Sequence, residues 1–346
     1  MSDNTPRHTA APAATIEVCT PGRLHLGMIS FGNPAVRSFG GVGVMVEGLG
    51  MGVRLKPAAA LTASGPLADR AAAFARQCAD AWSLGDVSCE VSVTAAPPAH
   101  VGLGSGTQLA LAVAAGMRQL FLADEQLQTE KRFTTEEAFH LAAAVGRGKR
   151  SCVGIYGFAG GGLISEAGRL PDDPAEQVSP LVARVALPEA WRCVVLIHRD
   201  AEGLHGEAEK AAFARLSSVP AEISTELARI AADELVPAAH RGGFAAFSDA
   251  LYRYGRLAGK PFEPESSRLP FHDAIGSLIE LVGQCGVRGA AQSSWGPAVM
   301  ACCESAAAAE DLVTQLTGRG LAAEYDMIVT RFDRSGAVMT GSRVTE

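Results

Sequence analysis

The chain has 346 residues, 48% of them hydrophobic and 19% charged, with a formal net charge of -7. This length and composition support a core shared between two ordinary domains and exclude a disordered chain, while the acidic balance excludes a nucleic-acid surface and requires that any anionic substrate be met by a local cluster of cations. No apolar run reaches the roughly 20 residues that cross a bilayer, and the eight cysteines form neither a Cys-x-x-Cys pair nor a zinc-spaced group, as expected of small buried residues in a reducing cytoplasm.

Residues 1–14 are polar and Ala/Pro-rich with no apolar core, which reads as a disordered tail and not a signal peptide. Thr15 to Cys19 is a short strand that leads into Pro21-Gly22-Arg23-Leu24-His25-Leu26-Gly27, where alternation puts Arg23 and His25 on one face. That face can meet a ligand, or can carry an exposed arginine and a satisfied histidine. Arg37-Ser38-Phe39-Gly40-Gly41 is a glycine-rich turn before a strand, and Val53 and Leu55 mark another strand closed by Pro57. Helical spacing runs from Asp69 to Trp82, with Phe74, Cys78 and Trp82 on one stripe. Val87, Cys89, Val91 and Val93 then alternate with polar residues up to Thr94, a half-buried strand.

Two prolines stop that strand, and the segment His100-Val101-Gly102-Leu103-Gly104-Ser105-Gly106-Thr107 runs without a break into an apolar helix. Three glycines in five positions permit positive φ and let a ligand approach bare amides. Ser105 or Thr107 is expected to cap the helix, whose first amides and positive dipole end suit a phosphate or pyrophosphate. On this reading Gly104 is bare because pyrophosphate lies against its backbone. The alternative is a tight turn that only packs the helix. Neither the Walker A pattern nor the dinucleotide fingerprint fits, since no Lys-Ser/Thr pair follows and Thr107 stands where the third fingerprint glycine would be.

Thr134 with Glu137 forms a capping box for a helix through Val145. The helix ends at Gly146-Arg147-Gly148-Lys149-Arg150-Ser151, the densest basic run of the chain: either a solvated helix end that complements the dipole, or a clamp for a phosphate or carboxylate. Ile155 to Ser165, with Gly157, Gly160, Gly161 and Gly162, reads as strand, tight turn, strand. Pro171-Asp172-Asp173-Pro174 and Pro180 mark a polar connection, and the domain boundary is placed at residue 185/186, giving units over 15–185 and 186–346. The second unit opens on a strand at Trp191 to Ile197 and continues with helices near 207–217, 221–236, 243–258 and 271–285. It closes with a strand at 289–292, the turn Ser293-Ser294-Trp295-Gly296-Pro297, a strand at 298–303, a helix at 304–317 and a last strand pair from Leu321. Paired β-α-β units of this kind indicate a ferredoxin-like sandwich.

The loop Pro-x-x-x-Gly-Leu-Gly-Ser-Gly-Thr resembles the phosphate loop of the GHMP kinase superfamily, and Pro21-Gly22-Arg23 resembles its first motif. Taken with Arg37 and Phe39-Gly40-Gly41, the run 146–151 and Gln292-Ser293-Ser294-Trp295-Gly296-Pro297, the chain over most of residues 16–345 resembles the beta-ribofuranosylaminobenzene 5'-phosphate synthases of that superfamily. Gln-Ser-Ser-Trp stands where the kinases carry a glycine-rich loop. The resemblance implies an α+β, two-domain GHMP-kinase-like fold, with a ribosomal-protein-domain-like first half and a ferredoxin-like second half. It also implies a decarboxylating pentosyltransferase that joins phosphoribosyl pyrophosphate to para-aminobenzoate in tetrahydromethanopterin biosynthesis, with Mg2+, no nucleotide, and a cytoplasmic homodimer.

On that resemblance Arg23, His25, Ser105 and Gln292 are expected to be catalytic. Arg37, Gly102, Gly104, Gly106, Thr107, Arg147, Lys149, Arg150, Ser293, Ser294 and Trp295 are expected to bind substrate, with no metal ligand assigned. Two alternatives remain: an ATP-dependent GHMP small-molecule kinase with Asp200 as base, and an inactive sensor of phosphorylated metabolites.

Overall fold

The structure is a computed structural model that describes residues 14–33, 36–123, 130–170, 173, 178–204, 206–269, 271–294 and 296–343. The tail expected over 1–14, apart from Ala14, most of the connection at 171–174, and Trp295 lie outside the described residues.

Three sheets organise the described residues. The first half supplies β1 (Ala14–Cys19), β2 (Gly22–Gly27), β3 (Gly41–Val46), β4 (Gly52–Pro57), β5 (Thr62–Ser64), β6 (Cys89–Ala95), β7 (Lys131–Arg132), β8 (Leu163–Glu166) and β9 (Leu181–Val185). Between them lie α1 (Ala68–Ala81), α2 (Ser105–Leu122), α3 (Thr135–Ala144) and α4 (Val153–Gly160). The second half contains β10 (Arg192–His198), α5 (Gly206–Arg215), α6 (Ala221–Arg229), α7 (Val236–Arg241), α8 (Phe244–Gly259), α9 (Glu263–Ser266), α10 (His272–Gln284), β11 (Ala290–Gln292), β12 (Val299–Cys303), α11 (Ala306–Gly318), β13 (Tyr325–Arg331) and β14 (Val338–Arg343).

The order β11-β12-β10-β13 with every pair antiparallel is that of a ferredoxin-like βαββαβ sheet. A second antiparallel sheet runs β2-β3-β8-β9, and a six-stranded sheet runs β5-β6-β4-β1-β14-β7. The strand pair expected from Leu321 is not a pair. β13 joins β10, whereas β14 turns back to lie antiparallel to β1, so the span 186–346 contributes strands to two sheets.

Helix α2 is buried almost all round, between β4 and β1 on one side and α1, α3 and α4 on the other. Gly116 permits this closeness, since a β-carbon there would run into Leu55. The capping box of α3 forms as read, with Thr134 Oγ1 accepting from the Glu137 amide (3.1 Å) and the Glu137 carboxylate accepting from the Thr134 amide (2.8 Å). The strand expected from Ile155 is instead helix α4. Every residue from Val153 to Ala159 is buried, so no polar face reveals the helical period. Its glycines serve packing: Gly154 faces Thr107, and Gly157 lies against Met45.

Candidate functional site

The glycine loop, β2, the basic turn and the β11–β12 turn converge on one cavity of about 970 Å³, at the upper end of ligand-binding clefts. Long-range backbone bonds hold them together. The Arg23 amide donates to Leu103 O (3.0 Å), Ala298 N to Val101 O (3.2 Å), and Ser294 N to His25 O (2.9 Å). Ser293, fully buried, accepts from the His25 amide (2.9 Å) and donates to Gly102 O (2.7 Å), so it ties three segments together and acts as a brace for the loop. Gly296 packs directly on Val101 and Gly102.

Residue 104 itself, in the left-handed region at φ 69°, precedes α2 as its cap, and no side chain caps the helix. The capping expected of Ser105 or Thr107 is therefore absent. Both lie in the first helical turn and line the cavity. A β-carbon on Gly104 would stand 2.6 Å from Arg23 Nε, so packing against this guanidinium is by itself a reason for the glycine. Gly106 is similarly backed by Arg70, whose Nη2 would lie 2.7 Å from an added β-carbon.

Six cations line the cavity, Arg23, Arg70, Arg147, Lys149, Arg150 and Lys210, against one carboxylate among the described residues, Glu209. Glu209 is engaged by Arg150 at 3.0 Å, and Lys210 by Glu207 at 2.7 Å. Arg150 also stacks on Phe213. Arg147 makes no ion pair among the described residues; it rests on the Phe74 ring at 5.1 Å, and its buried Nε has no hydrogen-bond partner. Burial, then the neighbouring Arg70 charge, lowers the Arg147 pKa. Burial brings the Arg23 guanidinium down to about 10, still protonated at neutral pH. Desolvated cations without carboxylates favour an anion between them, more so at the first amides of α2.

His25 is held by both ring nitrogens. Nδ1 accepts from the Gly27 amide (3.2 Å), which leaves the proton on Nε2, donated to Ser151 Oγ (3.1 Å). Ser151 donates to Glu166 Oε1 (2.6 Å), whose other oxygen accepts from the Cys152 amide (2.8 Å). Burial, then Arg23 and Arg150, pulls the imidazole down to about 3, so His25 is neutral. Both ring nitrogens are thus engaged by the protein itself, which fixes the orientation of the imidazole. Glu166, fully buried, is raised by desolvation and held back by its hydrogen bonds from Ser151 and Cys152.

Not every expected residue reaches the cavity. Arg37 is turned away, donating to Gly168 O (3.1 Å) beside Asp173, and does not line it. Gln292 lies on a smaller slot next door. Asp200, the base of the kinase alternative, is exposed and outside the lining. Arg70, Glu166 and Glu209 are not singled out by the sequence, and Ser151 enters only as the last residue of the basic run. An acid that closes the apolar run Leu163-Ile164 was the one available signal for Glu166, whereas Arg70 and Glu209 look like ordinary helix-surface charges. Among the described residues no helix is long and apolar enough to cross a membrane, and no group of three or more His, Cys, Asp or Glu side chains could hold a metal ion.

The family model described as GHMP kinases N terminal domain matches residues 67–162, the span from α1 through α4. The chain resembles a homoserine kinase from Cytophaga hutchinsonii with a TM-score of 0.61 at 15% identity, covering 97% of this chain and 99% of that one, a likeness of fold. Two curated relatives are beta-ribofuranosylphenol 5'-phosphate synthases. That of Methanothermobacter thermautotrophicus is 30% identical over 81% of this chain and 86% of its own length, and that of Archaeoglobus fulgidus 29% identical over 83% and 87%. With the α+β GHMP fold, the glycine loop at the head of α2 and this likeness over most of its length, the chain belongs to the beta-ribofuranosylphenol 5'-phosphate synthase family of the GHMP kinase superfamily.

Proposed function

We propose that the chain is a decarboxylating phosphoribosyltransferase that joins phosphoribosyl pyrophosphate to a para-substituted benzoate and uses no nucleotide. The carrying observation is the charge of the cavity: among the described residues, six cations surround a glycine loop with a single lining carboxylate that Arg150 already engages. A kinase acting on an alcohol is served by a carboxylate base near the hydroxyl, and Asp200 is not in that place.

In this reading the pyrophosphate lies over the first amides of α2 between Arg70 and Arg147, and the cations stabilise its departure from the anomeric carbon. The ring carbon that bears the carboxylate forms the new carbon–carbon bond to the resulting oxocarbenium-like centre. The carbon–carboxylate bond then breaks, and its electron pair restores the aromatic ring as carbon dioxide leaves. No ring proton is removed, which agrees with a neutral, fully hydrogen-bonded His25. Arg23 at the cavity face, 3.4 Å from Ser294 Oγ, orients the benzoate carboxylate.

The donor set does not fit a resident magnesium ion, because Glu209 is tied to Arg150. The Mg2+ that the resemblance implies is therefore read as a companion of pyrophosphate, and no step is routed through it.

The relatives are named for a ribofuranosylphenol product and the sequence resemblance implies a ribofuranosylaminobenzene, so the acids to compare are para-hydroxybenzoate and para-aminobenzoate. We favour para-aminobenzoate, with a cytoplasmic homodimer as the working form. Incubation of the protein with phosphoribosyl pyrophosphate and each acid should release pyrophosphate and carbon dioxide in equal amounts. ADP formed from ATP with a small alcohol, and no pyrophosphate with either acid, would overturn the reading. Size-exclusion chromatography with light scattering checks the dimer.

A further inference from the structure

We propose that the ring of the aromatic acid enters a separate slot beside the cationic cavity, and that Ser266 and Gln292 recognise a hydrogen-bond donor at its para position. The inference rests on the phosphoribosyltransferase reading and adds which surface receives the acceptor.

The slot, of about 80 Å³, lies between the end of β2, the last turn of α8 and strand β11. Its walls are mostly apolar, with Leu26, Met28, Ala258, Phe262 and Leu269 beside the polar His25, Ser266, Gln292 and Ser294, and no Lys or Arg lines it among the described residues. A phosphosugar would lose its hydration there without gaining a counter-charge, whereas an uncharged ring would gain from leaving water. Small residues make the slot narrow. Gly27, at φ 129°, meets Ala258 so closely that a β-carbon on it would overlap that of Ala258, and Gly255 is pressed against Ala291. A narrow slot suits a flat occupant.

The slot shares His25, Met28 and Ser294 with the cationic cavity. Ser294 accepts from Arg23, so the guanidinium stands at the junction of the two spaces. A benzoate with its ring in the slot therefore directs its carboxylate, and the carbon that bears it, toward the space of the sugar. The para substituent then points inward. Gln292 donates through Nε2 to Gly296 O (3.0 Å), which leaves its amide oxygen, without a protein partner among the described residues, to accept a hydrogen bond. The Ser266 hydroxyl can accept another. An amino or hydroxyl group supplies the donor; a hydrogen atom at that position does not, and a site built to bond such a group discriminates strongly against the analogue that lacks it.

The test is steady-state kinetics on the full chain with phosphoribosyl pyrophosphate and three acids: para-aminobenzoate, para-hydroxybenzoate and benzoate. Ala258→Val should raise KM for para-aminobenzoate roughly 10-fold or more while KM for phosphoribosyl pyrophosphate stays within about 2-fold. Ser266→Ala and Gln292→Met should each bring kcat/KM for para-aminobenzoate toward that for benzoate. Melting curves accompany every variant, and if Ala258→Val is unstable the half-buried Ser266→Ala carries the comparison. Pyrophosphate release by the wild type together with unchanged acid KM and unchanged preference in all three variants would overturn the slot and leave the reaction standing. A selective rise in acid KM on Phe213→Ala, with no effect of the slot variants, would also overturn it by placing the ring in the cationic cavity. No turnover of any para-substituted benzoate by the wild type would remove the reaction reading and the slot with it.

Discussion

Arg23 fills the space that a side chain at Gly104 would need, with Nε 2.6 Å from the position of the missing β-carbon. The glycine loop and β2 are thus one packed unit, and the glycine is required on two counts, its positive φ and this contact. Gly104→Ala should lower the melting temperature, at a cost of about 1 to 3 kcal/mol from backbone strain, and also weaken turnover by displacing the guanidinium. Thermal melts and kinetics on one preparation check both; a variant of wild-type stability with no activity would mean that the ligand, not Arg23, claims that space.

The basic turn offers a comparison between a free and a paired cation. Arg147 is half-buried with no carboxylate paired to it among the described residues, so Arg147→Ala should leave stability nearly unchanged or slightly raised. It should raise KM for phosphoribosyl pyrophosphate by roughly 10-fold or more, equivalent to about 1.4 kcal/mol of lost binding. Arg150→Ala should do more harm than its own lost contact, because it leaves Glu209 uncompensated in an anion site, and the double variant with Glu209→Ala should recover part of the loss. Equal kinetic constants for both single variants and wild type would reduce the run to a solvated helix end.

His25 should not titrate across the working range of the enzyme. Its folded pKa, about 3, lies below the ordinary 6.5 of an unfolded histidine. The unfolded chain therefore binds more protons between these values, and this group's contribution to stability is present above about 6.5 and lost as pH falls toward 3. Long-range nitrogen–proton NMR should find the proton on Nε2 and no shift of the ring between pH 8 and 6. A midpoint near 6 would contradict the paired geometry.

Glu166 carries the opposite sign. A carboxyl raised above its ordinary 4.5 takes up protons on folding, so it opposes folding as pH rises through that window. Glu166→Gln should remove this slope. The amide cannot accept from both Ser151 and the Cys152 amide, so we expect a loss of about 1 to 3 kcal/mol at neutral pH and a fall in kcat as Ser151 and His25 lose their orientation. Denaturant unfolding at several pH values, read beside kcat, separates the two effects.

Asp200→Asn should leave pyrophosphate release at the wild-type rate, since the residue is exposed and lines neither the cavity nor the slot. A large loss of rate would return the kinase reading to consideration.

The sequence by itself determined the elements whose signal is local. The alternation in β4 and β6, the capping box of α3, the glycine loop at the head of α2 and the density of cations at 147–150 all depend on neighbours a few residues apart. The motif order along the chain also sufficed to indicate the α+β GHMP fold. Helix α4 could not be read, because a segment buried on every side carries no polar period and its glycines answer to Met45 and Thr107 far along the chain. The site itself was decided by tertiary structure: His25, Ser151 and Glu166 form one hydrogen-bonded row only because β2, the basic turn and β8 come together through β3. The same long-range packing brings Arg70 beneath Gly106, turns Arg37 toward Gly168, and leaves Asp200 in solvent. Spacing in a sequence fixes which face of its own element a side chain occupies; which other elements that face meets is set by strand pairing and core packing across the whole chain.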